Sequence, residues 1–239
     1  YNTAIGDGAL YSNTTGSNNT ASGAYALYSN TTGDKNTATG YMALQANTTG
    51  FFNTAIGRET LTRNVGGAYN TAVGNSALFY NTSGNDNTAF GHESLISNVG
   101  GGSNVGVGGL ALRYNTSGDA NIGNGYMALR KNTNGNNSVA IGFQALLENV
   151  SGNNNTGVGR QTLGTNTTGS QNTANGFYAL NLNTTGNGNT ASGYSVLNQN
   201  TTGFYNTANG FYAVTSNITG NGNTASGFRA LYSNTTGSY

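Results

Sequence analysis

Residues 19–35 read N-T-A-S-G-A-Y-A-L-Y-S-N-T-T-G-D-K, and residues 36–52 continue as N-T-A-T-G-Y-M-A-L-Q-A-N-T-T-G-F-F. The same 17-residue unit repeats fourteen times without a gap, from Asn2 to Tyr239. Its consensus is N-T-A-x-G-x-x-A-L-x-x-N-T-T-G-x-x, with positions numbered 1 to 17 from the asparagine. A short fixed period is typical of solenoids, in which each repeat packs only on its neighbours. We therefore expect residues 1–239 to form a single repeat array, cut from a longer fibrous protein.

The composition favours an all-β fold. The chain has 39 glycines, no proline, cysteine or tryptophan, and only 6% charged residues. Two glycines in every unit disfavour helix by about 1 kcal/mol each relative to alanine. The absence of proline excludes collagen, and the low charge is atypical of disordered chains. These features predict a parallel β-solenoid (a β-roll or β-helix) of fourteen 17-residue coils.

Within each coil, the pattern predicts two short strands, at positions 1–4 and 8–11, joined by a tight turn at positions 5–7. The N-T-T-G return is a candidate for a third strand. In the first repeat the two predicted strands cover residues 2–5 and 9–12.

Four nearly constant positions predict the frame of the stack. Position 12 is always Asn, which suits turns and can form amide ladders between coils. Positions 5 and 15 are always Gly, as expected where φ is positive or where a Cβ would meet the next coil. Position 9 is Leu except at Val214, and is the predicted core residue. The first two repeats supply these ladder residues as Asn13, Asn30, Gly6, Gly23, Gly16, Gly33, Leu10 and Leu27.

The remaining six positions carry the variation. All fifteen acidic and basic residues lie at positions 6, 7, 10, 11, 16 or 17, which we call the variable positions. Tyr and Phe follow the same rule except at Phe90. Position 6 of the later repeats carries an aromatic stripe, which stacking between coils, an interface between chains, or a ligand platform would each explain. The stripe comprises Tyr126, Phe143, Phe177, Tyr194, Phe211 and Phe228.

Catalytic and metal-binding patterns are weak in this sequence. His92 is the only histidine and lies at a variable position, so a surface histidine is the favoured interpretation. Glu59 and Glu93 fall two coils apart at position 7, without a clear glycosidase pairing. We expect no enzyme activity, no metal and no cofactor. The net charge of +1 gives no reason to expect nucleic acid, and no apolar run is long enough to insert in a membrane.

Two further patterns have competing explanations. Position 12 forms an N-x-[ST] glycosylation signal in most repeats, but Asn persists where the signal fails, which favours a turn role. Position 2 forms a threonine column from Thr3 onward, which raises an ice-binding solenoid as an alternative function. Val105, Ile122 and Val139 interrupt that column, and no matching second column lies two residues further on.

The segment from Asn137 to Gly142, N-S-V-A-I-G, resembles the head repeat of trimeric autotransporter adhesins of the YadA type. The N-T-A-x-G segments are similar, and the N-T-A-x-G…N-T-T-G arrays also resemble repeat regions of phage tail-fibre-like proteins. The resemblance implies a left-handed parallel β-roll, three associated chains, and binding to host matrix or other cells. The adhesin unit is usually about three residues shorter than this one, and the extra residues fall in the N-T-T-G return.

Together these observations predict a non-catalytic structural or adhesive segment of an extracellular surface fibre, adhesin head or virion fibre. The expected partners are further copies of the chain, as a trimer or a filament, and a host-matrix, cell-surface or glycan ligand. A small core per coil supports oligomerisation, since little apolar area offsets the cost of ordering the backbone. The alternatives are a filament subunit that stacks end to end and an ice-binding solenoid.

Overall fold

The computed structural model describes residues 1–238. Its contacts define two compact units, Tyr1–Ala120 and Asn121–Tyr239, and the boundary falls between the seventh and eighth repeats. Each unit is a parallel β-solenoid of seven coils, and no helix occurs within residues 1–238. The predicted all-β class, the parallel stacking and the 17-residue coil are confirmed.

Each coil contributes one strand of three residues, at positions 2–4 of the repeat. Within a unit, consecutive strands pair in parallel with a constant offset of 17 residues, as Thr20 with Thr37. In the first unit the strands are β1 Thr3–Ile5, β2 Thr20–Ser22, β3 Thr37–Thr39, β4 Thr54–Ile56, β5 Thr71–Val73, β6 Thr88–Phe90 and β7 Val105–Val107. In the second unit they are β8 Ile122–Asn124, β9 Val139–Ile141, β10 Thr156–Val158, β11 Thr173–Asn175, β12 Thr190–Ser192, β13 Thr207–Asn209 and β14 Thr224–Ser226.

The side chains alternate along each strand, as pleating requires. The middle residue faces the interior, so Ala21 in β2 and Ala140 in β9 are fully buried. The first and third residues face outward; in β9, Ile141 remains 40% exposed. Position 3 therefore accepts only Ala or Gly, because the interior of so narrow a coil has no space for a larger side chain.

The predicted second strand at positions 8–11 is wrong. Those residues form turns, and the leucine at position 9 adopts a left-handed conformation, with φ of 51° at Leu27. Position 7 does the same, with φ of 58° at Tyr25. A strand cannot accommodate positive φ at alternate residues. The N-T-T-G return likewise forms bends within the described residues, and no third strand.

The turns are nevertheless hydrogen-bonded from coil to coil. The N–H of Leu27 donates to the carbonyl of Ala43 (3.0 Å), and the N–H of Ser29 donates to that of Gln45 (2.9 Å). In the return, the N–H groups of Thr31, Thr32 and Gly33 all donate to the carbonyl of Thr48 in the next coil. Main-chain bonding between neighbours therefore extends well beyond the three strand residues, which satisfies backbone groups that a turn would otherwise leave unpaired.

The residue at position 9, Leu except at Val214, fills the interior of the coil. Leu27 is fully buried, whereas Leu10, in the first coil, is half-buried because only one neighbouring coil covers it. The alanine at position 8 is also buried, as at Ala26. Where position 8 is polar, its hydroxyl is paired: Thr60 Oγ1 donates to the carbonyl of Gly74 at 2.7 Å.

The two constant glycines are required for different reasons. At position 5, Gly23 has φ of +139°, and a Cβ there would lie 2.5 Å from the carbonyl oxygen of Gly40; Gly6 has the same conformation. At position 15, Gly16 has no left-handed conformation, but a Cβ would clash with the carbonyl oxygen of Gly33 in the next coil and would lie 2.5 Å from Oδ1 of Asn13. Gly33 is crowded in the same way by Asn30. The glycine at position 5 is therefore required both by its positive φ and by the close approach of the next coil. The glycine at position 15 is required by close approach alone.

Two amide ladders converge on the glycine at position 15. In the ladder at position 12, Asn30 Nδ2 donates to Asn13 Oδ1 and to the carbonyl of Gly33, each at 2.9 Å. In a second ladder at position 1, Asn19 Nδ2 donates to the same Gly33 carbonyl (2.8 Å), and its N–H donates to Asn2 Oδ1 (2.9 Å). The second ladder was not predicted, although the near-constant Asn at position 1 was its signal.

Candidate functional site

The aromatic stripe at position 6 forms a stacked column in the second unit. Its rings lie nearly parallel, with centroids 5.2 Å apart for Phe177 and Tyr194 and 4.9 Å apart for Tyr194 and Phe211. Phe211 and Phe228 continue the column at 6.0 Å. Such separations are favourable for aromatic pairs. Stacking between coils is therefore one role of this column, and its rings remain partly exposed to solvent.

Arginine continues the stack where an aromatic ring is missing. Tyr126 and Phe143 stack at 5.8 Å, and the next coil places Arg160 at position 6. Its guanidinium lies 5.4 Å from the ring centroid of Phe143 and 5.7 Å from that of Phe177. A planar cation over aromatic faces is a cation–π contact. All six predicted stripe residues therefore belong to one column, with Arg160 as its seventh member.

Each unit also carries an open groove between position 7 and positions 10 and 11, which sequence reasoning did not identify. In the second unit the groove has a volume of about 390 Å³ and is lined by Tyr178, Asn181, Leu182, Ser195, Asn198, Tyr212 and Thr215. In the first unit the corresponding groove has about 410 Å³ and is lined by Met42, Gln45, Ala46, Glu59, Thr62, Arg63 and Phe79. The frame is thus common to both grooves, and the variable residues set their chemistry.

Polar side chains at position 10 are fixed by the backbone of the preceding coil. Asn198 Nδ2 donates to the carbonyl of Tyr178 at 3.0 Å, and Asn181 Nδ2 donates to that of Gln161 at 2.7 Å. In the first unit, Thr62 Oγ1 donates to the carbonyl of Met42 at 3.1 Å. These bonds hold the groove side chains in place before any ligand binds.

The outer face of the sheet is a second exposed surface. Positions 2 and 4 carry no charged residue in any repeat. Apolar side chains remain exposed there in both units: Ile5, Ile56 and Phe90 in the first, and Ile122 and Ile141 in the second. The threonines at position 2 also lie on this face. Parallel sheets in globular proteins are usually covered on both faces, so this face is a candidate contact surface.

The acidic side chains suggested by sequence are held in ion pairs. Glu59 Oε1 lies 2.8 Å from Nη2 of Arg58, and Glu93 Oε2 lies 2.7 Å from Nε of Arg113. His92 is exposed, with Nε2 3.7 Å from Glu93 Oε1. Across residues 1–238 no group of three or more His, Cys, Asp or Glu side chains could hold a metal ion. No helix long and apolar enough to cross a membrane is found in that range.

Most asparagines of the glycosylation signals are buried in the folded coil. Twelve of the fourteen asparagines at position 12 are buried, and Asn13 and Asn234 are half-buried. In the buried cases Nδ2, the atom that a glycan would modify, donates within the ladder; Asn149 Nδ2, for example, donates to Asn132 Oδ1 at 2.9 Å. Nine of these twelve asparagines carry the glycosylation signal, and there the signal reflects the amide ladder.

Comparison of the chain with protein-family models, with curated proteins and with solved structures finds no match. The resemblance to trimeric autotransporter adhesins and tail-fibre-like repeats, the trimer and the left-handed winding therefore stay predictions.

Proposed function

We propose that this chain is a non-catalytic structural and adhesive segment of an extracellular fibre on a cell surface or virion. The observation that carries the proposal is the separation of an invariant, hydrogen-bonded frame from variable residues on its outside. The asparagines and glycines of the frame recur in every coil and its leucine in all but one, whereas charged residues occur only at the variable positions. Such a frame supports changing surfaces without changing the fold, as in other repeat proteins that bind partners.

The chain associates laterally with further copies of itself, as a trimer, through the outer face of the sheet. This face combines apolar side chains with threonine hydroxyls and carries no charge. Depletion of charged residues is typical of the centre of protein interfaces. Burial of this face also supplements an interior in which one leucine and two small residues per coil contribute most of the apolar area.

The test compares two isoleucines of nearly equal exposure in the second unit. Ile141 lies on the outer sheet face and is 40% exposed, whereas Ile218 lies at position 13, away from that face, and is 42% exposed. We expect light scattering during size-exclusion chromatography to give the mass of three chains for the wild type. Ile141→Lys should give the mass of one chain, and Ile218→Lys that of three. A monomeric wild type, or equal effects of the two substitutions, would refute lateral association through this face.

A second candidate function is ice binding, which the outward threonine column favours. Thr20 and Thr71 are exposed on a regular sheet. The column is interrupted at Val105, and on the neighbouring column two residues further along, Thr39 is the only threonine. Thermal hysteresis of the purified chain would support this alternative, and its absence in a trimeric chain would favour the fibre.

A further inference from the structure

Coils eleven to thirteen, residues 172–222, present an uncharged surface rich in aromatic rings. No charged residue occurs between Arg160 and Arg229. Position 7 of these three coils carries Tyr178, Ser195 and Tyr212 in succession. Ser195 is only 7% exposed, so the row of tyrosines has a gap at the middle coil. This gap forms part of the groove of about 390 Å³ described above.

The two walls of the gap are Tyr178 and Tyr212, and both pack against the aromatic column at position 6. Tyr178 packs edge-on against Phe177, with centroids 4.2 Å apart and the rings 83° to one another. Tyr212 packs in the same way against Phe211, at 4.6 Å and 90°. The backbones that carry the two tyrosines are two coils, or about 10 Å, apart along the stack. The ring of Tyr212 also packs edge-on against Tyr194 of the middle coil, at 5.4 Å and 82°.

The polar lining of the gap consists of amides and hydroxyls with fixed positions. The Nδ2 groups of Asn181 and Asn198 are bound to backbone carbonyls, and Thr215 Oγ1 donates to the carbonyl of Tyr212 at 2.8 Å. No donor within residues 1–238 pairs with Oδ1 of Asn181 or Asn198, so both oxygens can accept a hydrogen bond from a ligand. Side chains fixed beforehand lose little entropy on binding.

We propose that this groove binds a neutral carbohydrate. Aromatic rings contact the C–H faces of sugars, and amide and hydroxyl groups bond sugar hydroxyls. No charged side chain lines the groove, so a charged ligand would lose hydration there without contacting an opposite charge. The groove has the volume of a small-ligand site, whereas a stable protein partner buries about 800 Å² on each side. The carbohydrate would be the ligand that the adhesive segment recognises, so this proposal rests on the proposed function.

The test is affinity electrophoresis in native gels that contain hydroxyethyl cellulose, laminarin or soluble starch, with alginate as an anionic control. We expect at least one of the neutral polysaccharides to retard the wild type, and alginate to have no effect. Ser195→Tyr fills the gap and excludes the ligand, so the apparent affinity should fall at least about tenfold, comparable to the loss of one important interface contact. Ser76→Tyr adds the same side chain at position 7 of the first unit and should retain affinity within about twofold.

A second pair of variants covers the case in which Ser195→Tyr disturbs the fold. Tyr212→Ala removes one wall and should weaken retardation, whereas Tyr205→Ala, at the exposed position 17, should leave it unchanged. Retardation by alginate alone, no retardation by any neutral polysaccharide, or equal effects within both pairs would overturn the proposal. A change of oligomeric mass in Ser195→Tyr without carbohydrate binding would assign the groove to chain association instead. None of these outcomes alters the test of the sheet face with Ile141→Lys.

Discussion

Substitution of Gly57 by alanine is expected to disrupt the stack locally, and Gly66 in the same coil provides a matched control. Gly57 occupies position 5 with φ of +129°, and a Cβ there would lie 2.6 Å from the carbonyl oxygen and 2.9 Å from the carbonyl carbon of Gly74. Gly66, at position 14, has no left-handed conformation, and the nearest atom to an added Cβ is Thr49 Oγ1 at 3.5 Å. The two changes add the same methyl group, so their difference isolates conformation and contact between coils.

The magnitude follows from two costs. A residue other than glycine in a sparsely populated φ region costs about 1–3 kcal/mol, and overpacking against a neighbour costs about 1–3 kcal/mol. Gly57→Ala should therefore destabilise the surrounding coils by about 2–6 kcal/mol. Gly66→Ala should be neutral or stabilise by about 0.4–1 kcal/mol, because alanine restricts the unfolded chain.

Hydrogen exchange measured by mass spectrometry detects this local effect. The N–H of Gly57 donates to the carbonyl of Thr39 at 2.8 Å, and the N–H of Gly74 donates to that of Ile56 at 2.9 Å. A destabilisation of 2 kcal/mol speeds exchange from the opened state about 30-fold. We expect that acceleration in peptides covering these amides for Gly57→Ala, and none for Gly66→Ala. Similar exchange in both variants would refute the assignment of position 5 as the contact that sets coil spacing.

Three further substitutions in the second unit probe the core, the ladder and the surface. Leu146→Ala should destabilise by about 2–5 kcal/mol in urea unfolding, because it empties a fully buried site. Asn149→Asp replaces a buried donor with an acceptor facing Asn132 Oδ1, and should cost more than about 3 kcal/mol at neutral pH. Burial raises the pKa of the introduced carboxyl above its unfolded value, so unfolding curves should show the loss shrinking as pH falls toward 4. Lys131→Ala breaks an exposed 2.7 Å ion pair with Glu148 and should change stability by less than about 1 kcal/mol in the same assay.

The repeat architecture could be predicted from sequence because constancy within the chain reveals which positions are buried. Asn30, Gly23 and Leu27 each recur 17 residues later, and each is engaged with the next coil in the structure. The number of strands could not be predicted in this way. The short segment at positions 8–11 was expected to form a strand, but its leucine adopts a left-handed conformation, with φ of 51° at Leu27. A leucine carries no sequence signal for a left-handed conformation, which usually favours Gly or Asn.

The candidate surfaces were only partly predictable. The stripe was visible because Phe177, Tyr194 and Phe211 share a repeat position. The groove could not be predicted, because its shape depends on the hydrogen bond from Asn198 Nδ2 to the carbonyl of Tyr178 in the preceding coil. That hydrogen bond links position 10 to position 7 of the preceding coil, and the residue at position 10 changes from repeat to repeat, so no constant residue marks it.

The most direct test of in-register stacking is distance measurement between paired spin labels in the first unit. The chain has no cysteine, so labels can be introduced as Ser12→Cys combined with Tyr80→Cys, Ser97→Cys or Tyr114→Cys, all at position 11. These partners lie four, five and six coils from the first label, and a spacing of about 4.8 Å per coil gives backbone separations of about 19, 24 and 29 Å. Double electron–electron resonance should return three narrow distributions in equal steps of about 4.8 Å. Broad distributions, or separations that do not rise by one strand spacing per 17 residues, would contradict the solenoid account.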